Sequence, residues 1–309
     1  MAEFNIYDAA QAAQMIKDEI QERYNDFNTL NVVVIGKTGV GKSTLINTVF
    51  GDSVAEVGIG TPVTQAIRKL EKEGVPLAIY DTPGLELQGN HSTENLLEEV
   101  SELINEGIRH NDVNQAIHCI WYCINTTSSR IEPTEMDFLR KLGENTKRCN
   151  VPVILVLTQA FSPKKTEEMV MVIRKANLPV REVVPVLAQD YEISEVFPKI
   201  PAFGIDKLVE VMNKLLPDTV RDTFVALQIV SIDLKRARAR AVVTGAAGAA
   251  ALTGAAPIPF SDAAILVPTQ VSMLAGITAV FGLPLGKSAL TSIVTATIGT
   301  AGTTVPGKT

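Results

Sequence analysis

Cysteine, histidine and aromatic residues are scarce in this 309-residue chain. It has three cysteines and three histidines, and Phe, Trp and Tyr together make up 5% of the sequence. Cys119, Cys123 and Cys149 are an odd number and include no C-x-x-C pair. Cys119 and Cys123 share one face of a predicted strand, which favours buried thiols over a zinc site. The histidines are scattered, so we assign them no metal, and reduced cysteines favour a cytosolic protein.

Positive charge is also in the minority. The chain has 28 Lys and Arg against 34 Asp and Glu, giving a net charge of −6 and a pI near 5.3. This balance argues against a protein that coats nucleic acid. A secretory leader is not predicted, because residues 5–27 alternate apolar and charged side chains in the pattern of an amphipathic helix. Such a helix would cover one flank of the next domain or contact another copy of the chain.

The segment GKTGVGKS, residues 36–43, is the most informative stretch of the sequence. It matches the G-x-x-x-x-G-K-[ST] pattern of phosphate-binding loops. The apolar run at 31–35 predicts a buried strand before it, and residues 44–50 predict a helix that ends at Gly51. Strand, glycine loop and helix form the setting that the pattern requires, so the sequence predicts nucleotide binding here.

The residue types in this loop suit a triphosphate. Its glycines allow backbone N–H groups to turn towards a phosphate, and the helix N-terminus adds partial positive charge. We expect Lys42 to bind the β- and γ-phosphates and act in catalysis, and the Ser43 hydroxyl to bind Mg²⁺. The predicted nucleotide contacts of the loop are Gly36, Lys37, Thr38, Gly39, Val40, Gly41, Lys42, Ser43 and Thr44.

A second phosphate-side signature, DTPG, occupies residues 81–84 directly after the predicted strand 77–80. A carboxylate at a strand end, here Asp81, is suited to holding the water shell of Mg²⁺. The Gly84 N–H is placed to meet a γ-phosphate oxygen and to release it after hydrolysis. Together with the phosphate loop, this signature predicts a nucleotide switch.

The segment GTPVTQ, residues 60–65, lies between the two motifs and offers two hydroxyl groups. We prefer Thr64 as the further Mg²⁺ ligand and catalytic residue, because the strand that follows it leads back towards Asp81 through a hairpin at Glu73-Gly74. Thr61 is the alternative.

Strands and helices alternate downstream. Further strands are predicted at 116–124, 151–157 and 183–187, and further helices at 93–108, 135–142, 164–176 and 205–216. Almost continuous apolar strands separated by helices indicate a parallel sheet covered on both faces. Ligands then bind beyond the carboxyl ends of the strands, where the phosphate loop already lies. The predicted fold is an α/β P-loop NTPase domain of the G-domain type.

The composition changes near residue 220. A long helix is predicted from Pro217-Asp218 through Leu227 and Ile229 into the basic patch 235–240, and beyond residue 240 only Asp262, Lys287 and Lys308 carry charge. This region predicts an all-α C-terminal domain rich in small residues. The predicted divisions are an N-terminal helix at 1–29, the nucleotide domain at 30–219 and the helical domain at 220–309.

Two long uncharged stretches, 263–286 and 288–307, raise the possibility of membrane contact. The basic patch before them would lie on the cytosolic side. Their many Ala, Thr and Gly residues, with Pro268 and Pro284, favour association with a membrane or a partner over a true span.

The phosphate loop, the PVTQ segment and YDTPGLE together resemble the translation-factor-class GTPases of the Era-like, septin and immunity-related type. This resemblance covers roughly 30–216. The nonapeptide GAAPIPFSD, residues 254–262, followed by LVPTQ, resembles the YcjF-type domain of unknown function, over roughly 225–309. The first resemblance implies GTP and GDP as ligands, Mg²⁺ as cofactor and a homodimer or larger assembly on GTP.

The chain departs from these GTPases where they recognise guanine with an [NT]-K-x-D motif. It has Thr158-Gln159-Ala160-Phe161 there, so Phe161 stands in the place of the base-binding Asp. We expect Thr158 and Gln159 to bind the nucleotide, together with Ala188, which resembles the alanine of the family's S-A-K loop. Asp190 would reach the base instead of the missing Asp, or Gln159 and Phe161 would hydrogen-bond and stack on a purine.

A second departure concerns hydrolysis. Ras-type GTPases carry a water-orienting Gln just after D-x-x-G, whereas this chain has Leu85. Slow intrinsic turnover is therefore expected, with the water-positioning group supplied by a backbone carbonyl, a partner or a second copy. Arg130 is a candidate catalytic arginine supplied in cis or in trans, although a solvated loop arginine is the simpler interpretation. Glu132 and Glu135 are interpreted as the polar start of a helix.

The sequence thus predicts a Mg²⁺-dependent GTPase, cytoplasmic or at the cytosolic face of a membrane, whose helical tail contacts a membrane or a partner. A septin-like scaffold with little turnover is the alternative. An Era-like ribosome or RNA factor is disfavoured because the tail is almost uncharged and has no basic G-x-x-G loop.

Overall fold

The computed structural model describes eleven segments of the chain: 14–15, 17–20, 22–23, 25–51, 61–62, 67–71, 75–82, 93–128, 131–192, 198–254 and 262–281. The chain divides into two compact units. One comprises Asn28–Ser231, and the other joins Met1–Phe27 with Ile232–Thr309.

A seven-stranded sheet lies at the centre of the first unit. Its strands are β1 (Leu30–Gly36), β2 (Thr61–Pro62), β3 (Arg68–Glu71), β4 (Leu77–Asp81), β5 (Cys119–Asn125), β6 (Val153–Thr158) and β7 (Glu182–Pro185). They are ordered β2-β3-β4-β1-β5-β6-β7. Strands β4, β1, β5, β6 and β7 are parallel, whereas β2 and β3 are antiparallel. The central strands are apolar runs buried on both faces, as a parallel sheet between helices requires.

Helices cover both faces of this sheet, and this confirms the predicted α/β fold. They are α1 (Lys42–Phe50), α2 (Thr93–His110), α3 (Pro133–Cys149), α4 (Pro163–Ala176), α5 (Ile205–Leu215) and α6 (Asp218–Leu227). Apolar residues of α2, α3 and α4 join one core cluster with alternate residues of the strands. On β5, Trp121 points away from this cluster. Its ring stacks on Phe50 of α1 with centroids 6.0 Å apart, and its Nε1 donates to Sδ of Met212 at 2.9 Å.

The connection between α6 and the next helix corrects the prediction of one long helix. The structure has two helices, because α6 ends at Leu227 and α7 spans Ile232–Gly254. Gln228 is fully buried, and its Oε1 accepts hydrogen bonds from the N–H groups of Val230 and Ser231 at 2.9 and 2.7 Å. The Ile229 N–H donates to the carbonyl of Val49 at 2.9 Å. These bonds turn the backbone out of the helix.

The second unit is helical where it is described, which confirms the predicted helical C-terminal region. It contains α7, α8 (Asp262–Phe281) and helical residues between 14 and 25. Arg23 donates to the Ser272 hydroxyl at 2.6 Å and pairs with Glu19 at 3.3 Å. At Gly276 a Cβ atom would lie only 2.8 Å from Cγ1 of Val242, so the missing side chain allows close helix packing.

The compact units differ from the predicted divisions at both ends of the sheet domain. The predicted border between 219 and 220 falls inside α6, whose Val220 and Phe224 are fully buried in the first unit. The predicted N-terminal segment is also split, because residues up to Phe27 group with α7 and α8. The two units are defined by contacts between residues that are distant in sequence, whereas the predicted divisions followed the change in composition along the chain.

The basic patch 235–240 does not act as one surface. The Lys235 side chain is buried, and its Nζ donates to the Val280 carbonyl at 3.2 Å. Burial lowers the pKa of Lys235 to about 8. Arg236, Arg238 and Arg240 are exposed.

No helix within the described residues is long and apolar enough to cross a membrane. The second uncharged stretch of the sequence analysis, 288–307, lies outside the described residues.

Candidate functional site

The predicted site residues gather at the carboxyl edge of the parallel strands. Strand register pairs Val34 of β1 with Asp81 of β4, and Asn125 of β5 with Thr158 of β6. The phosphate loop leaves β1 at this edge, between β4 and β5. The site is therefore assembled at the ends of four adjacent parallel strands, as is usual for ligand sites in such folds.

Two glycines give the phosphate loop its path. At Gly36 a Cβ atom would lie 2.6 Å from the carbonyl oxygen of Cys123, so a side chain there would collide with β5. Gly41 adopts φ 97° as the N-cap of α1, a conformation that residues with side chains rarely adopt. These positions let the loop turn directly from the strand into the first turn of α1.

Lys42 is held across this loop. Its Nζ donates to the Gly36 carbonyl at 2.9 Å and to the Lys37 carbonyl at 3.3 Å, and the residue is 9% exposed. The predicted phosphate contacts beside it, Thr38, Gly39 and Ser43, are exposed. The loop therefore places an ammonium group and open backbone and hydroxyl groups side by side, an arrangement suited to a phosphate chain.

Lys37 forms ion pairs with two glutamates at the start of α3. Its Nζ lies 3.0 Å from Oε1 of Glu132 and 3.4 Å from Oε2 of Glu135. Burial opposes the charged form, but hydrogen bonds and charge from both glutamates outweigh it, and the pKa of Lys37 is raised. Glu132 and Glu135 also form a capping box at the start of α3, as their interpretation as a helix start requires. Sequence reasoning missed their contact with the phosphate loop.

Asp81 ends β4 with a carboxylate that is partly unsatisfied. Its Oδ1 is buried without a hydrogen-bond partner. Burial raises the pKa of Asp81, although the positive charges of Lys42 and Arg68 act in the opposite direction. A buried carboxylate oxygen without a donor is costly, and a cation or its bound water would remove that cost. The residues present fit Mg²⁺, with Asp81 and the exposed Ser43 hydroxyl on the same edge.

Several predicted site residues fall outside the described residues. They are Thr64, Gly84, Leu85 and Arg130. The alternative ligand Thr61 lies in β2, where it pairs with Lys69 of β3. The antiparallel pairing of β3 with β4 agrees with a hairpin that leads back to Asp81, whose tip at 72–74 is likewise outside the described residues.

Gln159 spans from the end of β6 to the phosphate loop. Its Nε2 donates to the Gly39 carbonyl at 3.1 Å, and its Oε1 accepts from Nδ2 of Asn125 at 3.0 Å. Its backbone adopts φ 53°, and its carbonyl accepts from the hydroxyl of Thr126 at 2.7 Å. Gln159 is thus joined to the phosphate loop, and its contact with a nucleotide stays a prediction.

Thr158 and Ala188 take supporting positions near Gln159. The Thr158 hydroxyl donates to the Ile124 carbonyl at 3.2 Å, and the side chain is buried. The Ala188 carbonyl accepts from the Thr48 hydroxyl of α1 at 3.4 Å. Both residues therefore fasten the two loops beyond β6 and β7 to their neighbours.

The side chains expected to read the base each have a partner within the protein. Phe161 stacks on Tyr191, with ring centroids 4.3 Å apart and an angle of 5° between the rings. Asp190 accepts a hydrogen bond from the Ala202 N–H at 2.8 Å. The sequence analysis did not predict a role for Tyr191. Its position directly after Asp190 was the only feature of the sequence that pointed to it.

The comparisons with known proteins agree with this geometry. Residues 31–159 match a family model described as a 50S ribosome-binding GTPase. The chain is 28% identical to the neuronal-specific septin-3 of Rattus norvegicus over 169 residues, which are 47% of this chain and 46% of that protein. It is 29% identical to septin-9 of Mus musculus over 139 residues, 37% of this chain and 23% of that protein. The chain thus spans about half the length of septin-3 and about a quarter of the length of septin-9.

Among solved structures, Cdc11 from Saccharomyces cerevisiae is similar at a TM-score of 0.39 and 19% identity, covering 69% of this chain and 99% of that one. The family model ends at residue 159, so the resemblance of the tail to a YcjF-type domain stays a prediction. The phosphate loop, Asp81 and strands β2 to β6 all lie within residues 31–159. Residues 31–159 are therefore similar to the GTP-binding G domain of P-loop GTPases.

Proposed function

We propose that the chain is a Mg²⁺-dependent GTPase that hydrolyses GTP to GDP slowly and acts as a nucleotide switch. The observation that carries this proposal is the buried Oδ1 of Asp81, which has no hydrogen-bond partner. Asp81 lies at the same edge of the sheet as the phosphate loop with Lys42 and Ser43. Asp81 and Ser43 would hold Mg²⁺, as would Thr64, and the metal when bound would neutralise phosphate charge.

The chain's own groups account for binding and orientation. Lys42, fixed by two backbone carbonyls, supplies positive charge to the phosphates without having to order a flexible side chain first. Gln159 holds the loop beyond β6 against Gly39 and so fixes the base side relative to the phosphate side. Leu85 lacks a polar group to orient the attacking water, and slow turnover by a single molecule follows from it.

The helical tail is proposed to contact a membrane surface or a protein partner when GTP is bound. Its support is that Arg236, Arg238, Arg240 and Val243, in the first half of α7, are each exposed. Basic residues beside apolar ones favour an anionic lipid surface.

A septin-like assembling scaffold with little turnover is the second candidate. The septin relatives at 28–29% identity and the leucine at position 85 favour it. Single-turnover hydrolysis at low and high protein concentration separates the two candidates, since a scaffold binds and assembles but scarcely hydrolyses GTP at either concentration.

The test of the main proposal uses Asp81→Asn, which keeps the size of the side chain and removes its charge. The full-length variant should lose Mg²⁺-dependent GTP affinity by at least about tenfold, because a metal ligand is weakened. Its affinity for GDP in excess EDTA should stay close to that of the unchanged chain. Asp137→Asn on α3 is the matched control, since Asp137 is exposed and pairs only with Lys141 among the salt bridges described. Equal Mg²⁺ dependence in Asp81→Asn and the unchanged chain would refute the metal site.

A further inference from the structure

The side of the site beyond β6 and β7 is built from aromatic rings. Phe161 and Tyr191 lie parallel at a centroid distance of 4.3 Å, and Tyr191 is 40% exposed. Phe161 stands two residues after Gln159, whose side chain reaches the phosphate loop at Gly39. A nucleotide with its phosphates on that loop would therefore extend its base towards this pair.

The backbone around the two rings is fixed from both sides. The Phe161 N–H donates to the Gln159 carbonyl at 2.9 Å, across the left-handed turn at Gln159. The Ala160 N–H donates to the Val186 carbonyl at 3.1 Å, which joins the loop after β6 to the loop after β7. Tyr191 exchanges two backbone hydrogen bonds of 2.8 Å with Ile200. The rings are thus held in place before any ligand arrives, which lowers the entropic cost of stacking.

The carboxylates described in these two loops each have a partner within the protein. Asp190 accepts from the Ala202 N–H at 2.8 Å, and Glu192 pairs with Lys199 at 2.9 Å. The amide oxygen of Gln159 accepts from Asn125. The donor groups on the edge of a guanine, above all its 2-amino group, would therefore have none of these described carboxylates as a free acceptor.

We infer that the Phe161–Tyr191 pair is the specificity-determining element of the base site, that it holds a purine by stacking, and that it leaves the guanine 2-amino group unread. Stacking on aromatic side chains tolerates different bases because every base has a π-face. A hydrogen bond from the 2-amino group to a carboxylate would discriminate by about 10- to 150-fold. The chain therefore takes purine nucleotides with little distinction between guanine and hypoxanthine. This inference rests on the proposed function, since it assumes a nucleotide on the phosphate loop.

The test compares GTP with ITP, which differ only in the 2-amino group. Both compete with a ribose-labelled fluorescent GDP for the full-length chain in Mg²⁺. Their dissociation constants should agree within about threefold, because the carboxylates described in the two loops are already engaged by other groups. Phe161→Asp should supply the acceptor and raise the preference for GTP over ITP at least about tenfold. Tyr191→Leu should weaken both nucleotides equally, by about tenfold, whereas Tyr191→Phe keeps the ring and should bind as the unchanged chain does.

The outcomes separate the inference from the proposed function. A preference of the unchanged chain for GTP over ITP of more than about tenfold would overturn the inference and leave the GTPase proposal standing. The same holds if Tyr191→Leu, shown to be folded by thermal unfolding, binds both nucleotides with unchanged affinity. Failure of the labelled GDP and both competitors to bind at all would overturn the proposed function, and the inference with it.

Discussion

At the scale of single residues, Lys42 offers the most direct test of the phosphate loop. Its ammonium group is already fixed by the carbonyls of Gly36 and Lys37. Lys42→Ala should lower the affinity for GTP by at least about 100-fold, because a charge-assisted contact to two phosphates is lost. The measurement is titration with a fluorescent nucleotide, with Lys141→Ala on the exposed side of α3 as control. An unchanged affinity of Lys42→Ala for GTP would show that this loop does not bind the phosphates.

His118 makes a second residue-scale prediction, at the edge of the sheet opposite the nucleotide. Burial lowers the pKa of His118 to about 4, although a hydrogen bond from the imidazole to the backbone of Val113 acts in the opposite direction. Its Nδ1 accepts from the Asn31 N–H at 3.0 Å, so protonation of that nitrogen would break a buried bond. The unfolded chain takes up this proton near pH 6.5 and the folded chain does not. The contribution of His118 to stability should therefore be constant above pH 6.5 and fall as the pH drops from 6.5 to 4, by about 3 kcal/mol.

Urea unfolding of the unchanged chain and of His118→Gln at pH 7.5 and 4.5 measures this contribution. Glutamine has an acceptor but no titrating group, so the variant should lose about 2 to 3 kcal/mol less than the unchanged chain on acidification. An equal loss in both would show that His118 is not the titrating group.

Residue-scale prediction from sequence was possible where a motif is local in the chain. Lys42 and Ser43 are fixed by the spacing of one loop, and their place follows from the strand and helix around it. The contact of Lys37 with Glu132 was missed because it joins residues far apart in the sequence, each of which has a simpler local role. The same is true of Phe161 and Tyr191, whose stacking depends on the hairpin that carries Tyr191.

At the scale of elements, the turn between α6 and α7 is held by one buried side chain. Gln228 accepts from two backbone N–H groups and donates to the Ser231 carbonyl at 2.9 Å. Gln228→Ala should destabilise the chain by about 2 to 3 kcal/mol, because it leaves buried backbone groups without partners. Urea unfolding measures this, and Gln115→Ala, which removes an exposed glutamine, should cost less than about 0.5 kcal/mol. A loss at Gln228 no larger than at Gln115 would contradict the assigned role.

Strands and helices were predicted most accurately where the pattern of apolar residues is strongest. Strands β1, β5 and β6 are apolar runs, and each lies within two or three residues of its predicted position. The helix break at Gln228 was not predictable, because the sequence there has no proline or glycine. The break depends on the bond from Ile229 to Val49, which exists only once α1 is packed beside it.

At the scale of the whole molecule, the two compact units change how the tail is to be tested. A shortened chain that ends near residue 220 would cut α6 and expose Phe224, which is fully buried and lies 6.3 Å from the ring of Phe50. Loss of activity in that chain would report damage to the G domain. A chain of residues 28–231 keeps the first compact unit entire, and it removes all of the second unit, including its N-terminal part.

The last prediction concerns how turnover is switched on. Leu85 leaves the catalytic pocket of one molecule without a water-orienting amide. A second copy of the chain would supply the water-orienting group, and a membrane would favour this by concentrating the chain. We expect the rate of GTP hydrolysis per molecule to rise at least about threefold with protein concentration or with anionic vesicles, because assembly completes the site. Residues 28–231 should bind GTP as the full chain does but show no such rise. Reversing Arg236, Arg238 and Arg240 to Glu in the full chain should remove the response to vesicles, whereas reversing the exposed Arg174 and Lys175 of α4 should not. A rate per molecule that stays constant over a hundredfold range of concentration and ignores vesicles would show that the chain acts alone and waits for a separate activator.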